Sequence, residues 1–180
     1  LRSGMIKTLD PEDDHWLDRG CKILETDGVF VLERVLAASS CELLTRAALN
    51  VQELIANEVG PQRLRAAGES GVVRFPMKYR PEFSTLLDTP CVNALVSEYL
   101  SPTAICHLMN AILLKPMSES TEDTAALFQS TFHRDFPRFT GEVPLSINSF
   151  FCLCDFAESN GSTRFIVGSH RSASPTADIS

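Results

Sequence analysis

The 180-residue sequence has no apolar run approaching the ~20 residues that a helix needs to cross a bilayer, and its first residues lack the charged, apolar and small-residue order of a signal peptide. A cytoplasmic protein without a membrane partner is therefore expected. The four residues before Met5 are interpreted as an expression remnant outside the fold. Residues 5–180 are expected to form one domain, because 44% of the chain is hydrophobic and one domain takes about 150 residues.

Positive charge is also scarce. The chain has 16 lysines and arginines against 23 aspartates and glutamates, which gives a net charge of −7. A surface of this sign repels phosphate backbones and anionic membranes, and so it disfavours a nucleic-acid partner.

Paired cysteine motifs are missing too. The six cysteines are scattered through mostly apolar segments without CxxC spacing, which predicts reduced, buried thiols in a reducing compartment. A zinc site at Cys152-Leu153-Cys154 is a weaker alternative, because no second ligand pair lies near it in the sequence.

The first hundred residues predict three helices, since apolar residues recur there at helical spacing between capping signals. Their predicted starts are Asp10-Pro11, a capping box at residues 39–42 and Thr89-Pro90, and their predicted ends are Asp27-Gly28, Gly60-Pro61 and Ser101-Pro102. A short strand is predicted over residues 28–32.

The second half instead predicts short strands, over residues 104–115, 128–132, 146–156 and 163–167. Asn160-Gly161 predicts a hairpin between the last two, and residues 117–126 and 171–180 are predicted loops. Helices followed by consecutive antiparallel strands predict an α+β fold. Its core would be a β-sandwich or jelly roll that begins near Thr103, with the helices packed outside it.

The sharpest local feature is the triplet His133-Arg134-Asp135. Residues i and i+2 of a strand point to the same face, so the imidazole and the carboxylate are expected to converge on one point. Two such ligands and a distant second histidine form the facial triad that holds Fe(II) in oxygenases. A histidine hydrogen-bonded to a nearby aspartate is the alternative.

Other residue groups accompany this triplet in a characteristic order: Asp27-Gly28-Val29-Phe30-Val31-Leu32 and Leu113-Leu114-Lys115-Pro116 before it, then the Asn160-Gly161 hairpin and Gly168-Ser169-His170 after it. Together they resemble the phytanoyl-CoA dioxygenase family of non-haem Fe(II)- and 2-oxoglutarate-dependent oxygenases. The resemblance extends from about Thr26 to His170, with Val167 where the family has proline.

This resemblance implies a double-stranded β-helix, or jelly-roll, core and an enzyme that uses Fe(II), 2-oxoglutarate and O2. It implies His133 and Asp135 as iron ligands. The implied reaction is hydroxylation of a small-molecule metabolite with release of succinate and CO2, because the Asp135 carboxylate fills the position that chloride takes in related halogenases.

The resemblance also implies residues around 2-oxoglutarate. Phe150 matches an aromatic position that flanks the co-substrate, Asn148 would be its polar neighbour, and Met109 falls on an earlier strand position that borders the same molecule. Phe150 and Met109 are each equally compatible with an ordinary core residue.

The family's distal iron-binding histidine, and the arginine that binds the far carboxylate of 2-oxoglutarate, have no counterpart in the 180 residues. The chain is therefore expected to lack the last strands of its domain. The alternative is a catalytically silent jelly-roll protein that binds a ligand or partner, and the net charge disfavours a nucleic-acid or protein demethylase. His170 matches a structural histidine of the family, and His15 and His107 are expected to be packing or surface residues.

The substrate is scarcely indicated. Residues 74–80 form a cationic and aromatic cluster, and Arg134 and Arg138 flank the triplet, so either group suits a carboxylate or phosphate on the substrate. An ordinary solvated loop is the alternative for the cluster. Substrate identity and oligomeric state are left open by the sequence.

Overall fold

The computed structural model describes residues 5–114, 132–135 and 143–172. Its helices are α1 (Trp16–Thr26), α2 (Ala38–Val59), α3 (Pro61–Ala66) and α4 (Pro90–Tyr99), and its strands are β1 (Thr8–Leu9), β2 (Val31–Leu32), β3 (Val72–Arg74) and β4 (Asn110–Ile112). Short 3-10 turns cover Pro76–Lys78, Pro81–Leu86, Glu158–Asn160 and Ser169–Arg171. Predictions on Lys115-Pro116, on residues 117–126 and 128–131, on Arg138 and on residues 173–180 fall outside the described residues.

The predicted start of the first helix at Asp10 is wrong, because α1 begins at Trp16. Asp10 instead closes a turn: its carboxylate accepts the backbone N–H of Glu12 at 3.0 Å, and its carbonyl accepts that of Asp13 at 3.1 Å. The second carboxylate oxygen pairs with Arg34. The bond from Asp10 to the residue two positions later is a local side-chain turn, which competes with the first turn of a helix.

The predicted end of α1 at Asp27-Gly28 is confirmed. The backbone N–H groups of Asp27 and Gly28 donate to the carbonyl of Ile23 at 2.7 and 3.1 Å. Gly28 has a φ of +77°, the left-handed conformation in which glycine commonly terminates a helix.

The predicted capping box of the second helix is wrong. Helix α2 begins at Ala38, with Ala37 at the N-cap and no side-chain capping bond. The carbonyl of Ala37 already accepts the N–H groups of Ser40 and Cys41 at 3.0 and 3.1 Å, so the N-cap lies two residues before Ser39. The predicted end at Gly60, and the predicted start of α4 at Pro90 after Thr89, are confirmed.

Two small sheets are present in the described ranges. Strands β1 and β2 pair in parallel, and β3 and β4 pair antiparallel with Val73 opposite Ala111. Of the described residues in the predicted strand 104–115, only Asn110–Ile112 form a strand. Residues 146–156 and 163–167 carry no assigned strand. A strand requires ladder hydrogen bonds to a neighbour, and the described residues supply none that define a strand there. The jelly-roll core stays a prediction.

The Asn160-Gly161 turn is present, although it closes a 3-10 turn rather than a hairpin between assigned strands. Asn160 accepts the N–H of Ala157 at 2.9 Å through its side-chain oxygen, and its amide donates to the carbonyl of Asp155 at 2.5 Å. Gly161 alone of the pair takes a positive φ, +86°.

One core cluster, the α2 cluster, is formed by α2 and the 3-10 turn at Pro81–Leu86, and it consists of five buried side chains: Leu44, Ala47, Ala48, Phe83 and Leu86. Leu44 and Phe83 are only 1% and 2% exposed. Partly buried residues of the second half, among them Met109 and Leu153, pack against this cluster. The hydroxyl of Thr45 also donates to the carbonyl of Leu153 at 3.4 Å. Helix α2 thus supports the later segments that carry the candidate site.

All six cysteines are free, as predicted, but the expected burial is wrong for Cys106, Cys152 and Cys154, which are exposed. Partial desolvation of the sulfur, and then the nearby Cys154 thiol, raise the pKa of Cys152. A raised pKa disfavours the thiolate that zinc requires. In the described part of the chain, no helix is both long enough and apolar enough for a membrane crossing.

Candidate metal centre

His133 and Asp135 bring their side chains together, as their spacing predicts. The Nε2 atom of His133 lies 3.6 Å from Oδ1 of Asp135. Two ligand atoms at right angles, each about 2.1 Å from one ion, stand about 3 Å apart. The observed separation is slightly wider, so a small side-chain rotation would place both atoms on one metal ion, and the two residues fit two of the three protein positions of a facial triad.

Both side chains are open to solvent, with exposed fractions of 43% for His133 and 56% for Asp135. An ion can therefore reach the pair directly, and the pair by itself adds little to stability, because exposed ion pairs contribute roughly 0–1 kcal/mol. No group of three histidine, cysteine, aspartate or glutamate side chains suited to one metal ion occurs within residues 5–114, 132–135 and 143–172.

Asn148, predicted from the resemblance as a neighbour of 2-oxoglutarate, contacts the aspartate instead. Its side-chain amide donates a hydrogen bond to Oδ2 of Asp135, the oxygen that does not face His133. This bond holds the carboxylate with Oδ1 toward the imidazole. Three of the five predicted site residues, His133, Asp135 and Asn148, are therefore adjacent.

The other two predicted site residues contact different side chains. Phe150 is 57% exposed and meets Phe165 edge to face, with ring centroids 5.9 Å apart and an interplanar angle of 86°. Met109 packs against the α2 core cluster, and its carbonyl accepts the N–H of Phe75 at 2.8 Å. Phe165, the ring that Phe150 contacts, lines a cavity together with His133.

That cavity has a volume of about 130 Å³ and lies beside His133. Its wall includes Arg134, Arg164 and His170, against one carboxylate, that of Asp27. The sequence analysis did not single out Arg164, because only the fold brings it beside the triplet. The one sequence signal for its role is its position a few residues after the Asn160-Gly161 turn. The two guanidinium groups outnumber the single carboxylate in this wall, a balance that suits a carboxylate or phosphate ligand.

The Gly-Ser-His segment docks on the end of α1. Nε2 of His170 lies 3.2 Å from the carbonyl oxygen of Glu25, and the Gly168 N–H donates to the carbonyl of Asp27 at 2.6 Å. These bonds agree with the structural role expected for His170. His15 and His107 are exposed, in keeping with the predicted surface role.

In the cationic cluster at residues 74–80, Arg74 and Lys78 contact neighbouring side chains of the protein. The guanidinium of Arg74 donates two hydrogen bonds to Glu69, at 3.0 and 2.6 Å, and these bonds raise the pKa of Arg74. The ammonium of Lys78 lies 5.6 Å from the ring centre of Tyr79. The alternative of an ordinary surface loop is therefore favoured over an anion site here.

The sequence profile of the phytanoyl-CoA dioxygenase (PhyH) family matches residues 24–178. The chain belongs to this family. It is 39% identical over 161 residues to the uncharacterized proteins Mb1539 of Mycobacterium bovis and Rv1501 of Mycobacterium tuberculosis, an alignment that covers 89% of the chain. No solved structure gives a significant match.

Fe(II)- and 2-oxoglutarate-dependent oxidation is typical of the PhyH family. The chain spans 58% of the length of the two mycobacterial relatives. The profile match includes all three of the adjacent residues, His133, Asp135 and Asn148.

Proposed function

We propose that the chain carries the iron-binding half of an Fe(II)- and 2-oxoglutarate-dependent dioxygenase that hydroxylates a small-molecule metabolite. The observation that supports this most strongly is the 3.6 Å approach of His133 Nε2 and Asp135 Oδ1 within the matched PhyH region. The proposed fold is the jelly-roll core expected from the sequence, in which the family's distal histidine and arginine, which have no counterpart among the 180 residues, would complete the site.

When bound, Fe(II) with 2-oxoglutarate and O2 supplies the oxidising power that hydroxylates a substrate C–H bond and releases succinate and CO2. His133 and Asp135 would hold the metal, and Asn148 would fix the carboxylate through its bond to Oδ2. The Asp135 carboxylate would also fill the position that a halide needs, so hydroxylation rather than halogenation is the proposed outcome. Phe150 and Met109 would flank 2-oxoglutarate.

The proposed substrate carries a carboxylate or a phosphate. Arg134 and Arg164 border the cavity beside His133, and guanidinium groups bind such anions through paired, charge-assisted hydrogen bonds. The proposed partners are this substrate, 2-oxoglutarate and O2.

The test is succinate formation from 2-oxoglutarate by the full-length protein in air, with and without Fe(II). Wild type should form succinate only with the metal, and His133→Ala and Asp135→Ala should each abolish its formation. Exposed residues of the same types, changed in His107→Ala and Asp14→Ala, are the matched controls and should retain wild-type turnover. Full turnover in both site variants would remove the pair from the mechanism.

A catalytically silent binding protein is the second candidate, and one observation favours it: the described residues hold two candidate ligands but no third. Such a protein would bind a ligand or partner without forming succinate under any metal condition. The same assay separates the two candidates.

A further inference from the structure

We propose that the turn at residues 168–171 positions the metal pair by joining the end of α1 to Arg134. We call this joint the α1 clasp and define it by Glu25, Gly28, Arg134, Ser169 and His170. The proposal rests on the proposed function, because the pair that it positions is the candidate iron site.

The first half of the clasp is the end of α1. The last carbonyls of a helix have no partner within it and must be bonded from outside. Here the Glu25 carbonyl accepts Nη1 of Arg171 at 3.0 Å and lies 3.2 Å from Nε2 of His170. The Asp27 carbonyl accepts the Gly168 N–H at 2.6 Å. A cationic side chain at this end is also favoured by the helix dipole.

The fit between Gly28 and His170 makes the clasp specific. A Cβ atom on Gly28 would fall 2.8 Å from Cε1 and 2.9 Å from Cγ of the imidazole, and closer still to Nδ1. The ring thus lies against the glycine with no room for a methyl group. The Asp-Gly and Gly-Ser-His motifs are far apart in the sequence, but they contact each other through Gly28 and His170.

The second half of the clasp reaches the metal pair. Nη2 of Arg134 donates to the Ser169 carbonyl at 3.3 Å, and Arg134 stands between His133 and Asp135 in the chain. The turn therefore holds the residue that both ligands flank, and Gly28, His133 and His170 line the same cavity. Groups that orient metal ligands from outside the coordination shell typically change metal affinity by 10–100-fold. His170 and Gly28 are accordingly positioning residues.

The test compares four single variants and one double variant of the full-length protein. His170→Ala removes the imidazole, and His170→Gln keeps an amide donor near the Nε2 position. Gly28→Ala inserts the methyl group that the ring excludes. Gly60→Ala is the control, because Gly60 also has a positive φ, +91°, but nothing within 4 Å of an added Cβ. The double variant Gly28→Ala/His170→Ala removes the clash.

Two quantities are measured on each variant: amide hydrogen exchange of the peptide that contains residues 132–135, and the dissociation constant for Co(II). His170→Ala and Gly28→Ala should speed exchange of that peptide and weaken Co(II) binding about tenfold. His170→Gln should restore most of both, Gly60→Ala should change neither, and the double variant should lose less than the two single effects combined.

A merely structural clasp gives a different result. Lower thermal stability, with exchange of residues 132–135 and Co(II) affinity as in wild type, would overturn the positioning role. Should His170→Ala fail to fold, Arg134→Met replaces it, since it removes the guanidinium donor to Ser169 while keeping an extended side chain. Absence of Co(II) binding by wild type would defeat the proposed function, and the exchange comparison would still decide whether the clasp orders residues 132–135.

Discussion

Residues 5–100 and the described later residues, 132–135 and 143–172, differ sharply in how they bury apolar side chains. Within the described ranges, every buried hydrophobic residue lies between Leu9 and Leu95. By contrast, Phe150 and Phe165 in the later segment are 57% and 41% exposed. Helices satisfy their backbone locally and need one packed face, whereas strands depend on distant partners. The candidate site lies in the second region, for which the sequence predicts strands.

This difference matters for the site because the two candidate ligands are themselves half exposed. A binding pair in a segment with little core of its own depends on contacts with the well-packed region. The structure supplies two such contacts: the clasp at the end of α1, and the hydrogen bond from Thr45 of α2 to Leu153. The candidate site thus lies on the less buried region and the buried core on the other, a common division in proteins.

The largest expected effect is on the packed region. Phe83→Ala should lower the free energy of unfolding by about 3–5 kcal/mol, the usual loss for a buried phenylalanine, because its side chain is 2% exposed in the α2 cluster. The matched change Phe150→Ala should cost only about 0.5–1.5 kcal/mol, the worth of an edge-to-face ring pair. Urea unfolding of the two variants measures both. Equal losses would contradict the contrast between the regions.

A smaller effect is expected at Asn148. It tests whether the exposed region contributes to metal affinity without contributing to stability. Asn148→Ala removes the hydrogen bond to Oδ2 of Asp135 and frees the carboxylate to rotate. Metal affinity should fall about tenfold, with little change in the urea midpoint, because the side chain is exposed. Asn93→Ala, which removes an amide bonded at 2.8 Å to the Leu87 carbonyl, is the control and should leave metal affinity unchanged. Unchanged affinity in Asn148→Ala would remove that residue from the site.

The fold was more predictable from the sequence in the helical first hundred residues than in the second half. Glycine and proline signals located the helix ends at Gly28 and Gly60 and the start at Pro90, because they act through local backbone geometry. The predicted N-caps Asp10 and Ser39 are wrong. Asp10 bonds to Glu12 and Arg34, and the Ala37 carbonyl accepts the first hydrogen bonds of α2. Strand extents in the second half depend on pairing between distant segments, which periodicity alone does not specify.

The part of the candidate site that depends on neighbouring residues in the sequence was predictable. The His-x-Asp spacing predicted that His133 and Asp135 converge, and the described geometry agrees. The bond from Asn148 to Asp135 was not foreseen, although the resemblance had brought Asn148 into the same region. The contact of His170 with Gly28 joins the two ends of the matched segment and has no local signal beyond the motifs themselves.

Binding of one metal ion by His133 and Asp135 can be measured by a calorimetric Co(II) titration of the full-length protein. Wild type should bind one equivalent, while His133→Ala and Asp135→Ala should each weaken binding by well over tenfold without changing the urea midpoint, because both side chains are solvent-exposed. Wild-type affinity and stoichiometry in both variants would contradict it.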